Sequence, residues 1–280
     1  MAETEPFGSA FSIGDFAFAE RARLQPISMV MGCDVRWISQ ALPEPPEIAL
    51  FDHVDLAALS ATPAPELAEQ VAQARDRALK RLRAQAAAAG ANLVIGIHQR
   101  PGVIAWSPKR RHHADPVQYA RGRSKMFVTR LLEFQLIGTA VRDGAVVTAE
   151  PRLCTLDAAD LWKLQGGGWR PAGIVTGCAY QFHGSVGYGS GNGEVHEATA
   201  VWATVREAAL ETVRAEAAAL GADGVVGIEM QVEHRDVDWK WGGREPTGLL
   251  VGVSIIATAI HRTAAPARRP AAPLRIMSLS

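Results

Sequence analysis

Cysteine is scarce, with three in 280 residues, an odd number that does not make a disulfide framework in a chain this long. No apolar run approaches the ~18 residues that a membrane-spanning helix needs. The acidic stretch Met1 to Ala10 holds no apolar segment of the kind a secretory signal carries. Charge of one sign is also lacking: 29 basic residues stand against 29 acidic ones. The balance holds within each half, so the bulk field gives no reason to expect nucleic acid or an anionic membrane as partner. The spacings CxxC, HxxxH and HExxH do not occur. These absences give the expectation of a cytoplasmic protein that binds neither nucleic acid nor membrane.

What the chain does have is an internal repeat. Residues 71–98 read VAQARDRALKRLRAQAAAAGANLVIGIH and residues 202–229 read WATVREAALETVRAEAAALGADGVVGIE, an ungapped match at an offset of 131. Upstream, PISMVMGC ending at Cys33 matches PAGIVTGC ending at Cys178, an offset of 145. Downstream, Thr139 in LIGTAVR matches Thr258 in IIATAIHR, an offset of 119. The three matches are collinear and differ only by loop length. They predict one unit at residues 11–145, with long loops at 34–65 and 99–126, and a second at 152–263. Residues 264–280 follow as a Pro/Ala linker and an apolar tail.

Each repeated block has a physical reading. Leu67, Val71, Ala74, Ala78 and Leu82 share one face at helical spacing, as do Trp202, Val205, Ala209 and Val213, predicting helices over Glu66–Ala89 and Glu197–Leu220. Gly90 and Gly221 stand where a left-handed residue ends each helix. Strands are predicted from Leu93 to His98 and from Val225 to Glu233, the latter alternating Ile228, Met230 and Val232 with Glu229, Gln231 and Glu233. The last strand of each unit carries small residues on one face, Gly138 with Ala140 and Ala257 with Ala259, which marks the expected close approach of helix to sheet. Its other face is apolar too: Leu131, Ile137 and Val141 in the first unit, Leu250, Ile256 and Ile260 in the second. One helical layer covers only one face of a sheet, so these six residues need a partner, either the other unit or another chain. A first strand at Ile27–Cys33 or Gly173–Tyr180 and a short helix near Asp15–Arg23 or Asp157–Leu164, with Asp as N-cap, complete each unit. The fold class is therefore α+β: two tandem β-α-β-β units, each with a helix packed on an antiparallel sheet.

Two loops look like ligand sites and read better as loops. The glycine-rich segment Gly184–Gly193 lies between strand and helix, but it lacks the Lys-Ser/Thr and the spacing of a phosphate-binding loop. The basic segment Pro108–Arg123 has no aromatic interleaving for base stacking. A nucleophile, a base and an orienter that cluster are not found. His183 and His196 bracket the glycine loop, and Asp236 and Asp238 lie near His234, with no spacing that ties them together. The expectation is a binding protein, not an enzyme.

Both copies resemble the YbjQ family, which carries a heavy-metal-binding label. The resemblance rests on Gly173-Ile-Val-Thr-Gly177, on the run from Ala217 to Ile228, and on the closing strand around Thr258-Ala259. It implies a dodecin-like fold and a homo-oligomeric ring, most simply of five chains. It also implies a binding function, for a heavy metal or a small ligand. Cys33 and Cys178, at one repeat position, are the candidate ligands for a soft divalent or monovalent ion; the same positions equally suit buried, inert thiols. Lastly, the tail turns apolar in Leu274, Ile276, Met277 and Leu279. It reads as a docking peptide for a protein partner, through Leu274, Ile276 and Leu279, and is similar to the terminal cargo peptides that dock inside encapsulin shells. In that alternative the protein is a structural or adaptor ring displaying tails.

Overall fold

A computed structural model describes residues 13–41, 62–104, 127–144, 148, 150–184, 196–238, 247–263 and 277–278. The first half runs α1 (Ile13–Arg21), β1 (Leu24–Ala41), β2 (Thr62–Pro63), α2 (Pro65–Ala88), β3 (Leu93–Ile104) and β4 (Phe127–Asp143). The second runs β5 (Arg152–Leu153), α3 (Ala158–Gly166), β6 (Trp169–Gly184), α4 (His196–Ala219), β7 (Gly224–Asp238), β8 (Thr247–Arg262) and β9 (Met277–Ser278). Short helix, long strand, long helix and two further strands thus occur in the same order in each half. The fold is mixed α+β, with helices on sheets of order β1-β4-β3-β5 and β2-β6-β8-β7-β9.

Local details recur at the sequence offsets. Both long helices end in the same turn: Gly90 and Gly221 have φ of 76° and 64°, and their successors Ala91 and Ala222 donate to Ala86 and Ala217 at 3.0 Å. These are paired Schellman-type ends, which satisfy carbonyls that the last helical turn leaves open. A bulge interrupts β3 between Ile95 and His98 and β7 between Val226 and Glu229. Gly96 and Gly227 sit there with φ of 61° and 59°, a conformation that favours glycine. The helix residue Gln85 accepts from the Met31 amide as Glu216 accepts from the Thr176 amide. Asp157 caps α3 by accepting from the Asp160 amide; in the first half Asp15 falls within α1 instead of before it.

The helix faces are as the periodicity predicts. Leu67, Val71, Ala74, Ala78, Leu82 and Ala86 are buried under α2. In α4, Val201, Val205, Ala209, Val213 and Ala217 are buried, with Trp202 at the margin. The closest approach of helix to sheet is elsewhere than Gly138/Ala140 and Ala257/Ala259. A Cβ on Gly32 of β1 would lie 1.9 Å from the Ala78 carbonyl oxygen, and one on Gly177 of β6 would lie 2.1 Å from that of Ala209. A Cβ on Gly138 would instead meet Val94, Ile97 and Ile95 of the neighbouring strand. The helix therefore crosses the first strand of each unit more closely than the last.

The two halves are not beads on a string. β2 belongs to the first half by position but pairs with β6, and β5 precedes the second half but pairs with β3. The face of the second sheet that α4 does not cover is packed against the first half. Tyr180, Phe182, Leu250 and Ile256 share a core with Leu67, Val71 and Leu136. Val141 and Ile260 share another with the short helices. Four of the six apolar residues expected to face another chain, Val141, Leu250, Ile256 and Ile260, are thus already buried inside this one. The partner they require is the other half. Ile137 is half-buried, and the side chain of Leu131 lies outside the described residues.

Candidate functional site

The seam between the halves holds most of the unusual polar chemistry. His98 and Glu229, which are repeat equivalents, face each other at 3.3 Å. Gln99, buried between them, donates to the Glu229 and Ser254 carbonyl oxygens at 3.3 and 3.0 Å, and Ser254 donates back to its Oε1 at 3.3 Å. The segment after β5 straps the second half to the first: the Cys154 amide donates to the Val94 carbonyl at 2.9 Å and the Gly96 amide to the Leu156 carbonyl at 2.8 Å. Thr155 ties the segment to its own sheet, its amide donating to Thr258 Oγ1 at 2.8 Å and its hydroxyl to the Gly227 carbonyl at 2.9 Å. Beside it Cys154 is fully buried, and desolvation pushes its thiol up to about 11. Such a thiol stays protonated and inert near neutral pH. These groups satisfy one another, which is how a polar seam between apolar cores stays stable.

Cys178 lies in the same seam, donating from Sγ to the Ala68 carbonyl at 3.1 Å. Burial pushes its thiol up, against the lowering charge of Arg75. Arg75 is itself 3% exposed, and its Nε and Nη1 have no hydrogen-bond partner among the described residues. Cys33 stands on the other sheet, half-buried, its thiol raised by burial first and then by Glu133. The structure thus puts the two repeat-equivalent thiols on different sheets, one in the seam and one on an open face. Among the described residues no group of three His, Cys, Asp or Glu side chains converges. Among the described residues these donors do not gather into the four-ligand set that a structural zinc site uses.

A charged cluster escaped the sequence reading. Asp34 on β1 points under α2, 4% exposed, and meets Arg36, Arg77 and Arg81 at 2.9, 3.2 and 3.0 Å. Burial pushes its carboxyl up, but the Arg36 and Arg77 guanidiniums outweigh it and hold the pKa below the ordinary value. The signal was present in retrospect: Arg77 and Arg81 are one helical turn apart, on the side of α2 that faces β1. This is a structural ion cluster. Of the histidines, His234 stacks edge-on to Trp202 at 6.4 Å, and the side chains of His196, Asp236 and Asp238 lie outside the described residues. A shallow cleft of about 420 Å³ lies under α1, lined by Phe16, Ala19, Glu20, Arg23 and Leu24 among others; no polar groups converge on it.

The tail residues Leu274, Ile276 and Leu279 lie outside the described residues, as do most of Gly184–Gly193 and all of Pro108–Arg123. Met277–Ser278 pairs antiparallel with Val225 and Gly224 of β7. That edge position corresponds to the one β5 takes on β3. Among the described residues no helix is long and apolar enough to cross a membrane.

Comparison with known proteins places this architecture. Residues 172–261, the second half from β6 to β8, match the YbjQ family, described as "Putative heavy-metal-binding". The chain is also similar to the Encapsulin nanocompartment protein Rv1762c of Mycobacterium tuberculosis (strain ATCC 25618 / H37Rv). The two are 25% identical over 275 residues, which span 93% of this chain and 89% of the relative. No solved structure matches the chain.

Proposed function

We propose that the protein is a non-enzymatic, self-assembling binding protein, built from two tandem YbjQ-type units, that is housed in an encapsulin-type nanocompartment through its C-terminal tail. The observation that carries this reading is the similarity to an encapsulin nanocompartment protein along 93% of the chain. The Pro/Ala linker supports it, because such a segment projects a peptide away from the body. So does the alternation of Leu274, Ile276 and Ser278, which suits strand addition to a sheet edge. Burial of three apolar side chains, ~1.5–3 kcal/mol each before ordering costs, gives affinity on the order of micromolar per tail. A ring of five chains, the arrangement that the family resemblance implies, raises the effective affinity by ~10² or more by multivalency. The expected compartment is the cytoplasm. Any soft ion held at Cys33 or Cys178 would take further donors from outside the described residues or from a neighbouring chain.

Deleting Pro273–Ser280 tests the tail. The truncated protein, co-expressed with an encapsulin shell protein, should assemble and melt as the full chain does yet be lost from the sedimenting shell fraction. Equal retention of both forms would refute the docking role. A lowered melting temperature with unchanged retention would assign the tail to the fold, through β9.

A further inference from the structure

The repeat makes a strong statement about which surfaces of the chain are unfinished. On β6, Tyr180 and Phe182 are 5% and 4% exposed because the N-terminal part of α2 and its neighbours lie over them. At the offset of 145 their equivalents on β1 are Val35 and Trp37, which are 52% and 56% exposed. Met29 and Met31, on the same face, are half-exposed as well. The converse holds on the covering side. Arg75 and Ile97 of the first half are buried in the seam, at 3% and 0% exposed. Their equivalents at the offset of 131, Arg206 of α4 and Ile228 of β7, are exposed, Ile228 at 38%. The chain therefore carries one completed contact, the first half's flank on the second half's sheet. It also carries the two halves of the same contact as separate exposed patches among the described residues.

We infer that the open face of β1, formed by Met29, Met31, Val35 and Trp37 around Cys33, is occupied by the α4–β7 flank of a second copy of this chain. That flank repeats between chains the contact that α2 and β3 make within one. The placement is specific. Cys178 donates to the Ala68 carbonyl and has Arg75 beside it; the repeat puts Cys33 against Thr199 and Arg206 of the incoming helix. Charge agrees with this. Glu133 lies directly across from Val35 in the β1–β4 ladder and so shares its face. Its equivalent on the second sheet, across from Tyr180, is Gly252; the Glu133 charge acts on the Cys33 thiol as the Arg75 charge, of opposite sign, acts on that of Cys178. The face thus offers a carboxylate where an exposed arginine arrives. Ile137, across from Met31, belongs to the same surface, which retains one of the six residues expected from sequence to meet another chain. The contact is heterologous: each copy uses a different patch on either side, so repetition closes a ring or extends a filament.

This inference deepens the self-assembly part of the proposed function and rests on it. It is tested by mixing two disabled proteins. A face variant, Val35→Asp/Trp37→Asp, and a flank variant, Arg206→Asp/Ile228→Asp, should each run as a folded monomer by light scattering. Mixed one to one, they should form a dimer and stop there, because each retains the patch that the other lost. Two disabled monomers that stay monomeric when mixed would overturn the interface, since a self-complementary or unrelated contact cannot be rescued this way. Variants that remain oligomeric like the unaltered protein would place the contact elsewhere while leaving assembly intact. A monomeric unaltered chain would remove both readings. Should either variant misfold, Ala203→Cys on an otherwise unaltered chain replaces it. A short bifunctional maleimide should then give a chain-to-chain ladder that disappears with Cys33→Ser, and absence of the ladder in an oligomeric protein would overturn the proposal.

Discussion

Replacing Gly32 by alanine is the most direct test of how this fold is packed. The added methyl would lie 1.9 Å from the Ala78 carbonyl oxygen, and 2.9 Å from the Leu82 nitrogen. Both are helix backbone, so no side chain can swing aside. Restoring an ordinary contact requires α2 to retreat by roughly 1.6–2.1 Å, since non-bonded contacts settle at ~3.5–4.0 Å. A radial gap of even ~0.5–1 Å forfeits a quarter to a half of the dispersion well for each atom pair along the interface. That loss falls on Leu67, Val71, Ala74, Leu82 and Ala86, all buried. Gly32 is not among the positive-φ glycines, so alanine carries no backbone strain and recovers ~0.4–1 kcal/mol from the unfolded state. Overpacking typically costs ~1–3 kcal/mol, occasionally more, and backbone against backbone belongs at the top of that range. The net expectation is a loss of about 2–3 kcal/mol, or a fall in melting temperature of roughly 4–12 °C for a chain of this size. Gly177→Ala should cost a similar amount, because its methyl would lie 2.1 Å from the Ala209 carbonyl oxygen. Gly166→Ala, with nothing within 4 Å of the added carbon, is the control and should be neutral or slightly stabilising. Urea denaturation followed by circular dichroism reads all three. Stability of Gly32→Ala within about 0.5 kcal/mol of the unaltered chain would show that helix and strand do not approach as described.

Three further outcomes follow from particular residues. Ile256→Asp places a carboxylate at a site with 0% exposure between the halves and should destabilise the chain by several kcal/mol; a melt unchanged by this variant would deny the seam. Asp34 has a depressed pKa in the fold, so its contribution is present above the unfolded value of ~3.9 and is lost as pH falls through the folded one. Asp34→Asn should therefore flatten the acid limb of the stability–pH curve, and an unchanged acid limb would remove the ion cluster from the stability argument. Cys33→Ser/Cys178→Ser should retain the fold, and soft-ion content measured by mass spectrometry under reducing conditions decides the thiols' role. Loss of bound ion with both serines would support a site shared between chains, whereas identical content in both proteins would leave the thiols as packing groups.

Much of this architecture was legible because the repeat supplies two readings of every element. Helix ends at Gly90 and Gly221, the buried stripe from Leu67 to Leu82, and the strand starts at Leu93 and near Val225 all followed from periodicity and glycine placement. Distances did not. Small residues on a strand face indicate that something comes close, yet Gly138 accommodates its neighbouring strand and Gly32 accommodates the helix. Alternation alone cannot rank the two. Partnership was equally hidden. The outward apolar residues Ile256 and Leu250 needed cover, and sequence could not say whether a second chain or the first half provides it. The Asp34 cluster was not legible in the sequence, because its three arginine partners are distributed over two elements, and only the crossing of α2 over β1 collects them.

The divergence between the halves also argues for their roles. Where the second sheet packs against the first half, the position across from Tyr180 is Gly252, and Tyr180 and Phe182 are buried in the seam. Where the first sheet is open, the same positions are Glu133, Val35 and Trp37. A seam made once during folding gains from apolar closure, because its two sides never separate in water. A contact made between folded chains must leave each side soluble beforehand, and a carboxylate on one side with an arginine on the other keeps both surfaces hydrated until they meet. The one charged replacement, Glu133 for Gly252, thus falls on the face that the proposed contact would use, while Val35 and Trp37 keep that face apolar. Under the proposed assembly this distribution has a simple reading: one half closes the seam, and the other offers the next copy its contact.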